Sequence, residues 1–173
     1  MVLNILNRVT MVVTVLFLSV ITVMVAVEVV LRYCFGSSLY VTEELTRYLM
    51  VWVVFLASSL AVRDNAHISI EILANLFKGR ARAWYNLVAQ LFFLSFLAFL
   101  IIEGLIALPF QTDQIIPTLN IAISWFYLAI PVGSALMILN LLPRVWDNLK
   151  TIAGKAGPVE QPEAAPAAER GLL

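Results

Sequence analysis

Few side chains in this sequence can take part in acid–base or ion chemistry, and most of them stand near the ends of apolar segments. Glu28 lies inside a long apolar run, where an ionisable group is a candidate carrier of a proton or a cation. Arg32 follows four positions later, and Glu43 and Arg47 show the same spacing, so each pair can meet on one helical face. Glu28 therefore has two interpretations, and its place toward the end of the run favours an interfacial ion pair with Arg32 over a carrier.

The composition excludes several classes of protein. The chain has 173 residues, of which 62% are hydrophobic and 13% charged, whereas soluble domains carry about 25% charged residues. One cysteine, Cys34, cannot form an internal disulfide, and one histidine, His67, cannot supply two axial ligands to a haem. The formal net charge of +0 offers no basic surface to nucleic acid. With no phosphate-binding glycine loop, nucleophile–base pair or metal-ligand spacing, the sequence predicts a membrane protein that is not an enzyme and carries no cofactor or metal.

The apolar segments predict an all-α membrane protein with four transmembrane helices. These spans are expected at about 9–31, 42–63, 84–108 and 121–142. The apolar part of the second span is only about 15 residues, or about 22 Å, which is shorter than the hydrocarbon core of about 30 Å. Its start must therefore lie at the membrane edge, where lipid tails offer no hydrogen bonds to Glu43, Glu44 and Arg47. Two interpretations stay open for these residues: a helix start with acids matched to the helix dipole and a salt bridge, or a docking site for another protein.

Two further segments differ from the spans. Residues 68–78 place apolar side chains on one helical face and polar ones on the other, which predicts an interfacial amphipathic helix between the second and third spans. His67 stands in the turn before it, where a surface residue at the bend is favoured over a proton-handling group. Residues 151–173 are rich in Gly, Pro, Ala and Glu and predict a disordered cytoplasmic tail after a membrane domain of residues 1–150.

The distribution of lysine and arginine predicts the orientation. Most of them flank the spans on one side, at Arg8, Arg63, Lys78, Arg80, Arg82, Arg144, Lys150 and Lys155, while the other side offers Arg32 and Arg47. Both termini are therefore expected in the cytoplasm. The outer edge then carries an acidic rim of Glu28, Glu43, Glu44, Glu103 and Asp113. For Glu103, as for Glu28, a structural role is favoured. The midplane offers few polar groups beyond Ser19, Thr22, Ser95 and Ser134.

Three segments, in this order, resemble the small membrane subunit of tripartite ATP-independent periplasmic (TRAP) transporters. They are EELTRYLMVW, LAVRDNAHI and SWFYLAIPVGSALMIL, and the resemblance extends from about Arg32 to Leu142. It implies a protein of the bacterial inner membrane that works with a large TRAP membrane subunit and a periplasmic substrate-binding protein. The family-signature positions carried over, without any catalytic assignment, are Glu43, Glu44, Arg47, Trp52, Arg63 and His67.

The resemblance also implies a division of labour between the membrane subunits. The large subunit would hold the substrate and sodium sites and perform the elevator movement, and the small subunit would be a fixed scaffold. Substrates would be organic acids such as C4-dicarboxylates or sialic acid. Independently, a secondary transporter needs a polar site near the midplane, which is scarce here. We therefore expect a non-catalytic scaffold with these partner-interface candidates: Glu28, Arg32, Glu43, Glu44, Arg47, Trp52, Arg63, His67 and Glu103.

Two other functions stay open at this point. The first is a stand-alone, homo-oligomeric, proton-coupled exporter that uses Glu28, for which loss of proton-coupled transport in Glu28→Gln would be diagnostic. The second is a membrane anchor for a redox enzyme, which would need cofactor ligands from another chain and would show a haem absorbance band in the purified complex.

Overall fold

The computed structural model of the protein describes residues 2–37, 40–64 and 80–152. Within these ranges the helices are α1 (Val2–Phe35), α2 (Tyr40–Arg63), α3 (Arg80–Gln111), the short α4 (Ser124–Tyr127) and α5 (Ala129–Ile152). Four helical stretches are long and apolar enough to cross a membrane, at Leu3–Phe35, Val41–Arg63, Trp84–Gln111 and Ser124–Lys150. The predicted four membrane helices are thereby confirmed. The predicted interfacial helix at 68–78, His67 and the tail beyond 152 lie outside the described residues.

The first helix extends beyond both predicted ends of its span. It begins at Val2 rather than near residue 9. Inside it, the hydroxyls of Thr10 and Thr14 donate to carbonyls one turn earlier, at 3.0 and 2.7 Å. It ends where Gly36 takes a left-handed conformation, with φ of 62°. The Ser37 N–H then donates back to the Leu31 carbonyl at 3.3 Å. At φ near +60° a side chain would strain the backbone, so glycine suits this stop.

The predicted start of the fourth span at residue 121 is three residues too early. Ile121–Ala122 is a strand, β2, which pairs antiparallel with β1 (Ile115–Ile116), with Ile116 opposite Ile121. Asn120 closes this hairpin with φ of 50°, and its N–H donates to the Ile116 carbonyl at 2.8 Å. The hairpin forms because Ile116, at 2% exposure, is buried against the helices.

Two prolines lie inside helices. Pro109 is two residues before the end of α3, and Pro143 lies within α5, which continues to Ile152. A proline removes its own N–H donor but not the donors that follow it, so a helix can continue past it when packing supports the next turn.

The four long helices form a row rather than a closed bundle. The principal contacts are between α1 and α2, between α2 and α5, and between α5 and α3. α5 is the central element, with 44% of its most apolar stretch buried compared with 11% in α1 and α3. The core between α2, α5 and α3 is formed by Val62, Leu97, Met137 and Leu141.

A glycine allows α2 and α5 to approach closely. A Cβ atom at Gly133 would lie 2.6 Å from the Phe55 Cβ, closer than such atoms come in proteins. Ala129, one turn earlier, is also fully buried. These residues match the small-xxx-small spacing that permits close helix contact in membranes. We call the end of the row that contains Gly36 and the β1–β2 hairpin the loop end. The opposite end, which contains Val2 and Ile152, is the terminal end.

Candidate functional site

The loop end of α2 carries the most concentrated group of charged side chains predicted from the sequence. Arg47 Nη2 lies 2.8 Å from Glu43 Oε1, so the predicted pairing at i and i+4 is present. Both side chains remain largely exposed, at 69% for Arg47 and 75% for Glu43. Thr42, just before them, is buried. The ion pair is therefore exposed on the surface of a helix whose adjacent residue, Thr42, is buried in the protein.

Glu44 points to a different neighbour. The Thr118 hydroxyl donates a hydrogen bond to Glu44 Oε2, which ties α2 to the β1–β2 hairpin. One helical turn after Glu44, the ring of Tyr48 stacks on that of Phe126, with 4.6 Å between the ring centroids and an interplanar angle of 23°. Sequence reasoning identified Glu44 but missed Thr118, Tyr48 and Phe126, because the partners are more than 70 positions apart and no local pattern links them.

The remaining acidic candidates are separated by the row of helices. Glu28 is half-buried and Arg32 exposed on α1, while Glu103 is exposed on α3. Because α1 and α3 lie at opposite ends of the row, the structure does not bring Glu28 and Glu103 into one site. The ion pair between Glu28 and Arg32 stays a prediction.

Two further signature residues, Trp52 and Arg63, form contacts with other helices of the chain. The Trp52 ring meets Phe17 of α1 edge to face, with centroids 6.4 Å apart and an interplanar angle of 81°. Arg63 forms an ion pair with Asp64 at 3.7 Å between Nε and Oδ1, and its carbonyl accepts a hydrogen bond from the Arg144 guanidinium of α5. Trp52 thus helps join α1 to α2, and Arg63 marks the end where α2 is tied to α5.

The terminal end contains a buried polar contact that the sequence did not reveal. The side-chain amides of Asn7 and Asn140 exchange two hydrogen bonds, at 2.8 and 3.0 Å, and both residues are buried. Asn140 Nδ2 also donates to the Ser59 carbonyl at 3.2 Å, and the Ser59 hydroxyl donates to the Leu56 carbonyl at 2.7 Å. Three helices therefore meet at one hydrogen-bonded point. Neither asparagine belongs to a motif, and no local pattern links residues that are 133 positions apart.

The midplane hydroxyls are mostly satisfied within their own helices. Ser19, Thr22 and Ser95 donate to carbonyls three or four residues earlier, at 2.7 to 2.8 Å. Ser134 differs, since its fully buried Oγ has no hydrogen-bond partner among the residues described. Within ranges 2–37, 40–64 and 80–152, no three His, Cys, Asp or Glu side chains are grouped so that they could hold a metal ion. The midplane hydroxyls of Ser19, Thr22 and Ser95 are thus satisfied within single helices, and the described bonds between helices lie nearer the two ends of the row.

Comparison with known proteins identifies relatives of most of the membrane region. The sequence profile described as "Tripartite ATP-independent periplasmic transporters, DctQ component" matches residues 21–151. A TRAP transporter small permease protein of Haemophilus influenzae is 37% identical over 87 residues, which cover 50% of this chain and 53% of that protein. The C4-dicarboxylate TRAP transporter small permease protein DctQ of Vibrio cholerae is 27% identical, over 76% of this chain and 67% of that protein.

One relative is much longer than this chain. The sialic acid TRAP transporter permease protein SiaT of Haemophilus influenzae is 29% identical over 136 residues, which cover 79% of this chain but 22% of SiaT. The chain therefore spans about half the length of the Haemophilus small permease protein and about a fifth of SiaT.

Proposed function

Because the chain belongs to the family of TRAP transporter DctQ components, we propose that it is the non-catalytic small permease subunit of a sodium-coupled secondary transporter for organic acids. In this role it scaffolds a large elevator subunit at the bacterial inner membrane. The family and the four apolar helices make the chain a multi-pass membrane subunit of a TRAP transporter. The coupling ion, the substrate, the partners and the orientation belong to the proposal.

The observation that carries the scaffold role is the use made of the polar side chains. Asn7, Ser59 and Asn140 join three helices at one point, and Glu44 with Thr118 joins α2 to the hairpin. A secondary transporter instead needs polar groups directed at a substrate near the midplane. Polar side chains that bond helices to one another favour a rigid subunit, which supports the proposal that this chain is the fixed scaffold and that the large subunit moves.

The partnership with a larger membrane polypeptide has its own support. The match to SiaT covers most of this chain but only 22% of that permease. In SiaT, the region similar to this chain is joined to a much longer polypeptide. This supports the proposal that this chain functions together with a second, larger membrane polypeptide. The exposed apolar side chains along both edges of the row, on α1 and on α3, offer surfaces for it.

The substrate class follows from the names of the relatives. One relative is named for C4-dicarboxylates and another for sialic acid, and both compounds are organic acids. Secondary uptake of such anions against their gradient requires a co-transported cation, for which we propose sodium. We further propose that both termini are cytoplasmic, so that the loop end with Glu43, Glu44 and Arg47 faces the periplasm, where it contacts the large subunit and helps dock the substrate-binding protein.

Reconstitution tests this function directly. The large subunit is incorporated into liposomes with and without this chain, together with the periplasmic binding protein, and uptake of a labelled organic acid is measured under an imposed sodium gradient. We expect uptake only when both membrane subunits are present. Full uptake by the large subunit alone would refute the scaffold role.

The same liposomes test the exporter alternative. We expect this chain alone to support no proton-coupled flux, and Glu28→Gln to leave that background unchanged. Proton-coupled transport by the chain alone that disappears in Glu28→Gln would establish the exporter instead.

A further inference from the structure

α3 presents an unusual outward face. Its inward face packs on α5 through Leu97 and Gly104, both buried. On the other side, successive steps of four, three, four, three and four residues connect one series of exposed side chains: Phe92, Phe96, Phe99, Glu103, Ile106 and Phe110. This alternation of three and four is the spacing of a heptad seam, in which side chains of one helix fit between those of another. We call this series the α3 seam.

Glu103 interrupts the α3 seam well inside the membrane. The exposed rings of Trp125 and Trp146 are 65% and 63% accessible, and tryptophan favours the two membrane–water interfaces. They stand 21 residues apart on nearly continuous helix, about 31 Å by helical rise, which matches the hydrocarbon thickness of about 30 Å. We therefore place the boundaries of the hydrocarbon at these two rings.

The depth of Glu103 follows from its neighbour on α3. A Cβ atom at Gly104 would lie 3.1 Å from Pro131 Cδ, so this part of α3 is level with Pro131. Pro131 lies six residues beyond Trp125, about 9 Å inside the nearer boundary. Side chains on a helix lean toward its N-terminus. For α3 that direction leads from the loop end toward the membrane centre, so the Glu103 carboxylate leans away from the nearer boundary.

A carboxylate in this position needs a partner that the described residues do not provide. Glu103 forms no ion pair or hydrogen bond with any residue of the ranges 2–37, 40–64 and 80–152. Lipid tails provide no donor, and an unsatisfied charge in hydrocarbon is strongly unfavourable. Its neighbours on the seam, Phe99 and Ile106, are 56% and 54% exposed and apolar. The complementary surface is therefore an apolar helix with a single cationic side chain.

We propose that the α3 seam binds a transmembrane helix of the large subunit that presents a lysine or an arginine to Glu103. This inference rests on the proposed function for the identity of the partner. A single polar position in an otherwise apolar seam fixes the register of two helices, because any shift leaves the charge without its counterpart. Glu103 is thus a positioning residue for the subunit interface.

The test uses this chain co-expressed with its large subunit and measures how much large subunit co-purifies. Glu103→Lys is compared with Leu105→Lys, since Leu105 is 54% exposed at nearly the same depth but on another face of α3. We expect Glu103→Lys to lower the recovered large subunit at least tenfold and Leu105→Lys less than twofold. Changing one lysine or arginine in the large subunit's membrane helices to glutamate is expected to restore binding to Glu103→Lys.

The outcomes separate this inference from the proposed function. If the unmodified chain does not bind the large subunit, the proposed function fails. If the unmodified chain binds but Glu103→Lys binds equally well, or if Leu105→Lys is equally damaging, the α3 seam is not the interface.

Cross-linking identifies any other occupant of the seam. With Cys34→Ser as background, Phe110→Cys should react with a maleimide in the isolated chain and be protected in the complex, because Phe110 is 73% exposed at the loop end of the seam, near water, where the thiol can ionise. Equal labelling in both states would show that lipid covers the seam, and Phe110→Cys cross-links between two copies of this chain would show a homodimer. Either result overturns the proposal.

Discussion

The side-chain amides of Asn7 and Asn140 exchange two hydrogen bonds between the first and last long helices, although the residues are 133 positions apart. Both are buried, and Asn140 also reaches the Ser59 carbonyl on the helix that lies between them. In a row of helices that otherwise contact only their immediate neighbours, this is where α1 is linked to α5. The contact fixes the terminal end of the row.

Replacing Asn7 with leucine is expected to destabilise the protein. It removes both amide bonds and leaves Asn140 with the Ser59 carbonyl as its remaining partner. Hydrogen bonds between membrane helices contribute about 0.6–1.7 kcal/mol each, so we expect the free energy of unfolding to fall by about 1–2 kcal/mol. Reversible unfolding in mixed detergent micelles measures it. Ser19→Ala, which removes an exposed hydroxyl bonded within its own helix, is the control and should cost less than about 0.5 kcal/mol.

The double variant Asn7→Leu, Asn140→Leu tests the coupling. If the two amides interact directly, its loss should be smaller than the sum of the single losses, because the second substitution no longer leaves an unpaired buried amide. Strictly additive losses would contradict a direct interaction.

Gly133→Ala is expected to disturb the contact between α2 and α5. The added methyl would lie 2.6 Å from the Phe55 Cβ, an atom fixed to the backbone that cannot turn away. Overpacking of this kind costs about 1–3 kcal/mol, which a lower midpoint of thermal unfolding would report. Gly104→Ala provides the graded comparison, since its nearest neighbour would be Pro131 Cδ at 3.1 Å and the cost should be smaller. An equal or greater loss for Gly104→Ala would mean that α2 and α5 are not held as closely as described.

Arg47→Glu is expected to weaken the complex with the large subunit without preventing membrane insertion. The ion pair with Glu43 is exposed, and such pairs contribute only about 0.3–0.5 kcal/mol to folding, so its loss cannot account for a large effect. Co-purification of the large subunit measures the complex, and the amount of this chain in washed membranes is the control.

The exchanged pair Glu43→Arg, Arg47→Glu separates docking from internal pairing. It preserves an ion pair at i and i+4 but reverses the order of charges that a partner would meet. We expect it to bind as poorly as Arg47→Glu. Full recovery of binding by the exchanged pair would assign the two residues to helix stability alone.

Tyr48→Ala is expected to loosen the β1–β2 hairpin from α2. It removes the ring that stacks on Phe126 and leaves the hairpin attached through Thr118 and Glu44. Amide hydrogen exchange should accelerate at least tenfold at Asn120 and Ile123, whose N–H groups hold the hairpin together. Tyr33→Ala is the control, because Tyr33 is 83% exposed and should leave these rates unchanged. Unchanged exchange in Tyr48→Ala would show that the stacking does not hold the hairpin.

The predictability of the fold differed among its elements for physical reasons. The apolar runs located all four long helices, but α1 continued past both predicted ends, because a helix can extend beyond the apolar run that marks its span. The start of the fourth span was misplaced because Ile121 is apolar enough to continue a helical run, whereas it pairs with Ile116 in a local hairpin that the apolar pattern did not reveal. The pairing of Glu43 with Arg47 was predictable from spacing alone, whereas the contact of Glu44 with Thr118 was not.

The sequence by itself determined that the described part of this chain has four helices long and apolar enough to cross a membrane. Backbone polar groups in hydrocarbon must be satisfied within the segment that carries them, so apolar runs of this length favour helices. Only the tertiary structure decided the order of the helices in the row, the pairing of Asn7 with Asn140 and the exposure of Glu103 on the α3 seam. These features depend on which helical faces contact each other. Helices of similar apolarity are equally stable in the bilayer in many arrangements, and close packing with a few hydrogen bonds between helices selects one of them.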